Sequence, residues 1–119
     1  MKLIPWDSLP LETLGDGIAR RYLTGEKITV AQFVLKKGAA VPEHSHESEQ
    51  ISYVLEGVLR FVVAGEPQMV RAGEALIIPS NIPHSAEAVE DCRALDIFSP
   101  IRQDWLTNDD AYLRGGVKK

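Results

Sequence analysis

The chain has 119 residues, of which 45% are hydrophobic and 25% are charged, and its formal net charge is −4. This length allows a single domain with one hydrophobic core, and the composition is that of an ordinary globular protein. Basic residues are scattered along an acidic chain, which argues against nucleic acid as the main partner. The single cysteine, Cys92, excludes a disulfide within the chain.

The N-terminal residues give no indication of export. Pro5 and Asp7 interrupt the first residues before any apolar run, so we expect no signal peptide. No stretch approaches the roughly 20 apolar residues that a membrane-spanning helix needs. We therefore expect a cytoplasmic protein with no membrane contact.

In chain order, the pattern predicts an arm, a barrel and a tail. Residues 1–17 form the predicted N-terminal arm, irregular over its first 15 residues, with Trp6 and Leu9 as anchors. Residues 18–102 form the barrel, in which short runs of β-branched and aromatic residues are separated by glycine or proline. The predicted strands are 28–35, 51–55, 58–63, 68–71, 75–78 and 93–98, with a turn at 65–67. Residues 103–119 form a tail, with room for one or two helical turns between residues 103 and 113. Many short strands at this spacing predict an all-β sandwich or barrel.

All three histidines of the chain lie in two spaced motifs. The motifs are Gly38-x5-His44-x-His46-x3-Gln50-x6-Gly57 and Gly73-x5-Pro79-x-Asn81-x2-His84. Strand alternation puts His44 and His46 on one side, Gln50 joins them if the chain stays extended, and His84 arrives from a distant strand. Neutral imidazole is the commonest ligand for divalent transition metals, and this ligand set leaves one or two coordination positions open, as catalytic sites do.

Two simpler interpretations of these histidines remain open at this stage. His44 and His46 lie in the polar stretch 43–49 and could be solvated loop residues. His84 alone could be a capping or core histidine. The joint spacing, together with glycine and proline at turn positions, favours the metal site.

The two motifs, which span residues 38–88, resemble the two motifs of the cupin superfamily. This resemblance implies an all-β cupin barrel, a double-stranded β-helix or jelly roll. The sequence departs from the usual motifs at three positions. Gln50 stands where many cupins have glutamate, Asn81 replaces a glycine but tolerates the same left-handed backbone, and Ala88 stands where asparagine is frequent.

The glutamine leaves a ligand set without negative charge, which favours a Lewis-acid role for the metal. Many iron oxygenases use two histidines and a carboxylate, and this set lacks the carboxylate. We expect one divalent transition metal, with nickel, manganese, zinc, iron and cobalt all still open.

Asp96 interrupts an apolar strand. Alternation places Asp96 and Phe98 on one face, and Leu95 and Ile97 on the other, where they suit an inter-sheet or subunit contact. We expect Asp96 to point into the barrel near the metal, where burial perturbs its pKa as acid–base chemistry requires. The alternative is that Asp96 faces solvent on an edge strand.

Arg102 follows this strand after Ser99-Pro100-Ile101. We expect it to return over the mouth of the barrel and to bind a substrate carboxylate through two parallel hydrogen bonds. The alternative is a solvated arginine that pairs with Asp104 or Glu90, the usual situation of a surface arginine.

A narrower resemblance covers residues 6–106. The segments 39–55 and 96–102, with Pro5-Trp6 and residues 17–21, resemble the small pectin-degradation cupins called KdgF, which linearise the 4,5-unsaturated uronates that polysaccharide lyases release from pectin or alginate. The resemblance implies metal ligands His44, His46, Gln50 and His84, and functional roles for Asp96, Phe98 and Arg102. The segment 47–49, Glu-Ser-Glu, differs from the Pro-His-Glu frequent in that family and bears on substrate preference at the pocket rim.

The resemblance implies a metal-dependent enzyme that opens the ring of a small acidic sugar to give a 5-keto-4-deoxyuronate. In this hypothesis Asp96 transfers protons, Arg102 binds the carboxylate and Phe98 packs against the sugar ring. A cupin dioxygenase and a non-catalytic sugar- or anion-binding cupin are the alternatives. We expect a homodimer, because an N-terminal strand would otherwise leave an unpaired edge.

Overall fold

The computed structural model describes residues 1–114. Over this range the chain forms ten strands: β1 (Glu12–Gly15), β2 (Ile18–Thr24), β3 (Thr29–Leu35), β4 (Ala40–His44), β5 (Glu49–Glu56), β6 (Val58–Val63), β7 (Glu66–Arg71), β8 (Ala75–Ile78), β9 (His84–Ala88) and β10 (Cys92–Ser99). One short helix, α1 (Gln103–Leu106), follows, and single 3₁₀ turns lie at Trp6–Ser8 and Ala111–Arg114. In this part of the chain, no helix is long and apolar enough to cross a membrane.

The strands form two antiparallel sheets. The larger sheet has the order β1-β2-β3-β10-β5-β8, and the smaller has the order β4-β9-β6-β7. Buried apolar side chains from both sheets, such as Phe33 and Phe61, belong to one core cluster, so the sheets pack on each other. Burial of this shared apolar surface is the main force that holds the sheets together. The all-β fold predicted from the sequence is confirmed.

The strands predicted from β-branched and aromatic runs are present. The predictions 58–63 and 75–78 agree with β6 and β8 at both ends. The prediction of an irregular arm is wrong over residues 12–15, because β1 pairs with β2 and extends the larger sheet. The predicted turn at 65–67 is shorter than expected, since Glu66 and Pro67 begin β7. That strand lies at the edge of the smaller sheet, where a proline without an N–H is tolerated.

Two turns require the backbone that the motifs predict. Asn81 has a φ of 62°, so asparagine adopts the left-handed conformation in place of glycine. Its N–H donates to the carbonyl of His46, which ties the two metal motifs together. Gly57 has a φ of 83°, and a Cβ there would lie 2.2 Å from the carbonyl oxygen of Asp91. Glycine at this position therefore allows the β5–β6 turn to approach the start of β10.

Strand register brings the expected site residues to one end of the barrel. His44 of β4 is the cross-strand partner of His84 of β9. On the larger sheet, Phe98 faces Gln50 and Asp96 faces Ser52 across the β10–β5 pair. Because β10 lies between β3 and β5, the interpretation of Asp96 as a residue on an edge strand is wrong.

Candidate metal centre

The three histidines converge on one point between the sheets. His44 ends β4, His84 begins β9, and His46 lies two residues beyond β4. The ring centroids of His44 and His84 are 4.3 Å apart, and those of His46 and His84 are 4.9 Å apart. One ring nitrogen from each histidine lies within 4.8 Å of the other two. The imidazoles therefore converge, which the interpretation as independent loop and core histidines does not explain.

Hydrogen bonds to the backbone orient all three rings. The Nδ1 atoms of His44, His46 and His84 lie 2.9, 2.9 and 2.8 Å from the carbonyl oxygens of Pro42, Ser48 and Ile82. A carbonyl oxygen only accepts, so each Nδ1 carries the proton and donates. Each neutral ring then presents the lone pair of its Nε2, which is the form that binds a metal.

These lone pairs lack hydrogen-bond donors among the residues that the structure describes. His84 Nε2 is buried and has no hydrogen-bond partner among residues 1–114. His46 Nε2 faces Gln50 Oε1 at 3.0 Å, although both atoms are acceptors once His46 Nδ1 donates to the backbone. Two acceptors this close repel each other unless a cation lies beside them. The donor set of three Nε2 atoms and one amide oxygen thus fits a divalent transition metal.

Ser52 orients the amide of Gln50. The Gln50 Nε2 donates to Ser52 Oγ at 2.8 Å, and this contact turns Oε1 toward the histidines. Ser52 is fully buried and faces Asp96 across the strand pair. A hydrogen-bonded partner behind a ligand fixes its direction and commonly strengthens the metal site. Sequence reasoning missed Ser52, although its position two residues after Gln50 places it on the same face of β5.

Burial keeps the imidazoles neutral. The pKa of His44 is lowered to about 3 and that of His46 to about 4, in both cases chiefly because burial disfavours the charged ring. The positive charge of Arg102 lowers both further. The pKa of His84 is also lowered, mainly by burial. At neutral pH the three rings therefore retain their lone pairs.

Asp96 lines the same cavity and carries a perturbed pKa. Its Oδ1 is buried and has no hydrogen-bond partner within the described chain. Burial raises the pKa of Asp96 to about 6, while the Ser52 hydroxyl and the charge of Arg102 limit the rise. A carboxyl group with this pKa, next to a cluster of potential metal ligands, is suited to exchange protons near neutral pH.

Arg102 reaches the cavity, but its hydrogen bonds differ from the expectation. It is 3% exposed, its Nε and Nη2 donate to the two carboxylate oxygens of Asp104 at 3.0 and 2.7 Å, and Nη2 also bonds the Tyr112 hydroxyl. Asp104 occupies the two-point contact that we expect a substrate carboxylate to use, and binding of a carboxylate by Arg102 stays a prediction. The alternative pairing with Asp104 is present, but the arginine is buried instead of solvated, and its guanidinium stacks 4.7 Å above the Phe98 ring. Nη1 makes no hydrogen bond to residues 1–114.

The cavity itself is small. It has a volume of about 50 Å³, and its lining includes Phe98, Trp105, Tyr112 and Leu113 besides the residues above. The Tyr112 ring lies 4.5 Å from the His44 ring, at 30° to it. Sequence reasoning missed Trp105, Tyr112 and Leu113, because a tail without strand periodicity gives no indication of which part of the barrel it covers.

Comparison with known proteins agrees with this geometry. The Cupin_2 family model, described as a cupin domain, matches residues 31–98. The pectin degradation protein KdgF of Dickeya dadantii (strain 3937) is 35% identical over 103 residues, which are 84% of this chain and 94% of that protein.

Solved structures show the same relationship. The structure of KdgF from a Halomonas species matches with a TM-score of 0.81 and 27% identity, covering 88% of this chain and 98% of that one. An RmlC-like cupin from Shewanella frigidimarina NCIMB 400 matches with a TM-score of 0.78 and 29% identity, covering 83% and 90% of the two chains. Oxalate decarboxylase of Bacillus subtilis, at 22% identity, a TM-score of 0.77 and coverage of 85% and 30%, shares the fold.

The ligand geometry predicts how substitutions change metal binding. His84→Ala removes a buried ligand and should abolish retention of a divalent metal after dialysis. Ser52→Ala should weaken metal affinity roughly tenfold or more, because partners behind a ligand typically contribute 10–100-fold. Gln50→Glu should tighten cation binding by adding a negative charge, and should lower turnover by weakening the Lewis acid.

Titration of metal-free protein with Zn²⁺ in a calorimeter measures these affinities. Ser99→Ala is the matched control, because this serine is exposed on β10 and bonds only the carbonyl of Lys27. Unchanged affinity in both His84→Ala and Ser52→Ala would exclude this cluster as the metal site.

Proposed function

This chain belongs to the cupin family and is similar to KdgF over most of its length, and on that premise we propose that it opens the ring of 4,5-unsaturated uronates. The observation that carries the proposal is the arrangement of the Asp96 carboxyl group, whose Oδ1 is buried, and a buried cation, Arg102, around the histidine cluster in one cavity. The substrate is an anion, and the product is a linear 5-keto-4-deoxyuronate.

The reaction requires movement of one proton. The anomeric hydroxyl loses its proton and becomes the C1 carbonyl as the bond between C1 and the ring oxygen breaks. The ring oxygen then forms a carbonyl with C5, and the electron pair of the C4=C5 bond takes up a proton at C4. Asp96, with its raised pKa of about 6, is ionised at neutral pH and accepts the first proton, and in protonated form it donates to C4. A divalent metal bound by the histidines and Gln50 would supply Lewis-acid polarisation of the ring oxygen or carboxylate.

Arg102 and Phe98 position the sugar in this proposal. The guanidinium provides positive charge at the cavity wall, where Nη1 remains available for a carboxylate oxygen. Phe98 presents its ring toward His46, with centroids 5.6 Å apart, and supplies an apolar surface for one face of the sugar. Its burial also helps to keep water away from the reacting atoms.

Two further functions stay open as alternatives. A dioxygenase would need a redox metal, which oxygen uptake and electron spin resonance of the purified protein would reveal. A non-catalytic binding cupin would bind uronates without turnover. The raised pKa of Asp96 favours catalysis over binding alone. In a protein that only binds anions, a carboxylate in the cavity would repel the ligand, whereas in an enzyme it serves as a base.

We also propose that the protein forms a homodimer through the outer face of the larger sheet. Strand register aligns five apolar residues in one row across β2, β3, β10, β5 and β8: Leu23, Val30, Ile97, Ile51 and Ile77. Ile77 is 61% exposed, and Ile97 and Ile51 are each 38% exposed. A second copy related by a two-fold axis near the central Ile97 would pack the same apolar row against this one and bury both rows.

A cytoplasmic location is also a proposal.

The principal test of function uses a fresh uronate-lyase digest as substrate. We expect metal-loaded protein to accelerate the loss of ultraviolet absorbance from the C4=C5 bond, and a chelator to abolish the acceleration. Asp96→Asn should retain the metal and lose about 10²–10⁴-fold in rate, the usual contribution of general acid–base catalysis. In the wild type, kcat/KM should fall as the pH decreases toward and below about 6, because the base becomes protonated.

Stability distinguishes a catalytic role of Asp96 from a structural one. The pKa of Asp96 is higher in the folded state than its ordinary value, so the carboxyl destabilises the fold once the pH rises above the unfolded value. In metal-free protein, Asp96→Asn should therefore raise the free energy of unfolding at pH 7 by on the order of 2–3 kcal/mol and leave it unchanged near pH 3. Wild-type turnover by this variant would contradict the proposed role.

Substitution of Arg102 tests the carboxylate contact. Arg102→Ala should raise KM, because about 1.5–3 kcal/mol of substrate-binding free energy is lost. Arg102→Lys should restore only part of this binding free energy, because lysine lacks the planar guanidinium. Arg93→Ala is the control, since it breaks an exposed ion pair with Glu56 away from the cavity. Equal KM values for Arg102→Lys and the wild type would show that the planar guanidinium is not needed to bind the substrate carboxylate.

Light scattering measures the oligomeric state. We expect the wild type to have twice the mass of the chain, and Ile97→Glu to convert it to a monomer because a charge would be buried in the apolar row. Val89→Glu is the matched control, because Val89 is 37% exposed and lies outside the row. A monomeric wild type at micromolar concentration would overturn the dimer.

A further inference from the structure

The C-terminal segment Asp109–Arg114, which we call the strap, lies against the metal cavity. Tyr112 stacks on His44 with ring centroids 4.5 Å apart, and its hydroxyl bonds Arg102. Leu113, 3% exposed, completes the cavity wall. The strap therefore covers one histidine and occupies one of the two donors that Arg102 directs at Asp104.

The covered cavity is too small for a sugar acid. Its volume of about 50 Å³ corresponds to about three or four water molecules, whereas an unsaturated uronate has about a dozen non-hydrogen atoms. The cavity is partly open to solvent, so a ligand of that size either projects from its mouth or displaces part of the wall, and full entry requires displacement. The other walls are strands β3, β4, β5, β6, β9 and β10, which are held by ladders of hydrogen bonds, and the residues Arg102 and Trp105. Trp105 is held between the guanidiniums of Arg20 and Arg102. The strap has no such ladder and is the wall that can move at lowest free-energy cost.

A buried ion pair latches the strap to the barrel. Asp110 is fully buried, and its Oδ2 lies 3.1 Å from Nη1 of Arg20, a β2 residue that is 1% exposed. Arg20 also contacts Glu12 of β1 at 2.8 Å, and Arg114 donates to Asp110 at 3.0 Å. This latch is separated from the cavity by Trp105, whose ring lies 4.4 Å from the Arg20 guanidinium. The strap is thus held closed by two contacts, the ion pair of Asp110 and the hydrogen bond of Tyr112.

The connection to α1 provides a site of bending. Asn108 has a φ of 62°, in the left-handed region, and lies between α1 and the strap. The side chains of Thr107 and Asp109 on either side of it are exposed and bond each other at 2.8 Å. Rotation at such a short connection can move the strap without disturbing the barrel.

We propose that the strap is a lid over the metal centre, that Tyr112 is its contact with the bound ligand, and that Arg102 couples lid opening to the ligand's carboxylate. A carboxylate that bonds Nη1 and Nη2 of Arg102 together competes with the Tyr112 hydroxyl at Nη2 and so removes one of the contacts that hold the lid closed. The identity of that carboxylate as part of a sugar acid rests on the proposed function. Tyr112 is a specificity-determining residue here, because a carboxylate forms a charge-assisted bond with Arg102 and competes with the Tyr112 hydroxyl far better than the neutral hydroxyls of an uncharged sugar do.

Histidine modification tests the lid without any turnover. The chain has three histidines, all in the cavity, so carbethoxylation of histidine in metal-free protein by diethyl pyrocarbonate reports cavity access. Peptide mass spectrometry resolves His44 and His84 separately. We expect Tyr112→Ala and Asp110→Asn to raise the modification rate of both by at least about tenfold, because loss of a buried charge partner or of the covering ring favours the open strap. Asp109→Asn, an exposed neighbour in the strap, should react like the wild type.

Tyr112→Phe separates the hydroxyl from the ring. It keeps the stacking on His44 and removes only the bond to Arg102, so folding should be unaffected and the modification rate should rise less than in Tyr112→Ala. Wild-type rates in both Tyr112→Ala and Asp110→Asn would overturn the lid. So would modification of wild-type His44 and His84 at the rate of free imidazole.

Hydrogen exchange tests the coupling to carboxylate. D-glucuronate should accelerate amide exchange across Asp109–Arg114, whereas D-glucose, which has the same ring without the carboxylate, should not. Equal effects of the two sugars, or no effect of either, would overturn the coupling through Arg102. These measurements are independent of the ring-opening assay, so a protein with a gated cavity and no turnover of unsaturated uronate would refute only the proposed function.

Discussion

Three hydrogen bonds from histidine Nδ1 atoms to backbone carbonyls determine what this cavity can bind. Each bond places the ring proton on the side away from the cavity and leaves the Nε2 lone pair directed into it. Burial then prevents protonation, as the lowered pKa values of His44 and His46 show. The result is a cluster of neutral donors with an orphaned Nε2 on His84, which is costly in a metal-free core and favourable around a cation.

The β5–β10 strand pair carries the rest of the chemistry. Its register places Gln50 opposite Phe98 and Ser52 opposite Asp96, so the amide that faces the histidines and a titratable carboxyl share one strand pair. Ser52 links them, since it accepts from Gln50 and its hydroxyl lowers the pKa of Asp96. A slip of β5 by one residue would turn Gln50 and Ser52 to the face opposite Asp96 and Phe98, which explains why a long central pairing supports the site.

Two buried arginines join the tail to the barrel through one tryptophan. The guanidinium of Arg20 lies 4.4 Å from the Trp105 ring, and that of Arg102 lies 4.6 Å from it. Cation–π attraction of this kind strengthens when the cation is desolvated, and both arginines are almost fully buried. Asp104 and Asp110 supply the opposing charges, so two ion pairs from the tail balance two cations in the barrel. The tail is therefore part of the cavity wall.

The sequence by itself determined the fold class, most strands and the convergence of the histidines, because these depend on local periodicity and on the spacing of residues within single strands. The two-residue step from His44 to His46 and the left-handed turn at Asn81 are examples, since alternation and backbone sterics act over a few residues. Only the tertiary structure decided that Asp104 occupies the Arg102 guanidinium and that Tyr112 covers His44. Arg102 and Asp104 are close in the chain, but the burial of their pair, like the contact of Tyr112 with the distant His44, depends on the direction that the tail takes. That direction is determined by burial and charge pairing across the whole fold, which no local pattern encodes.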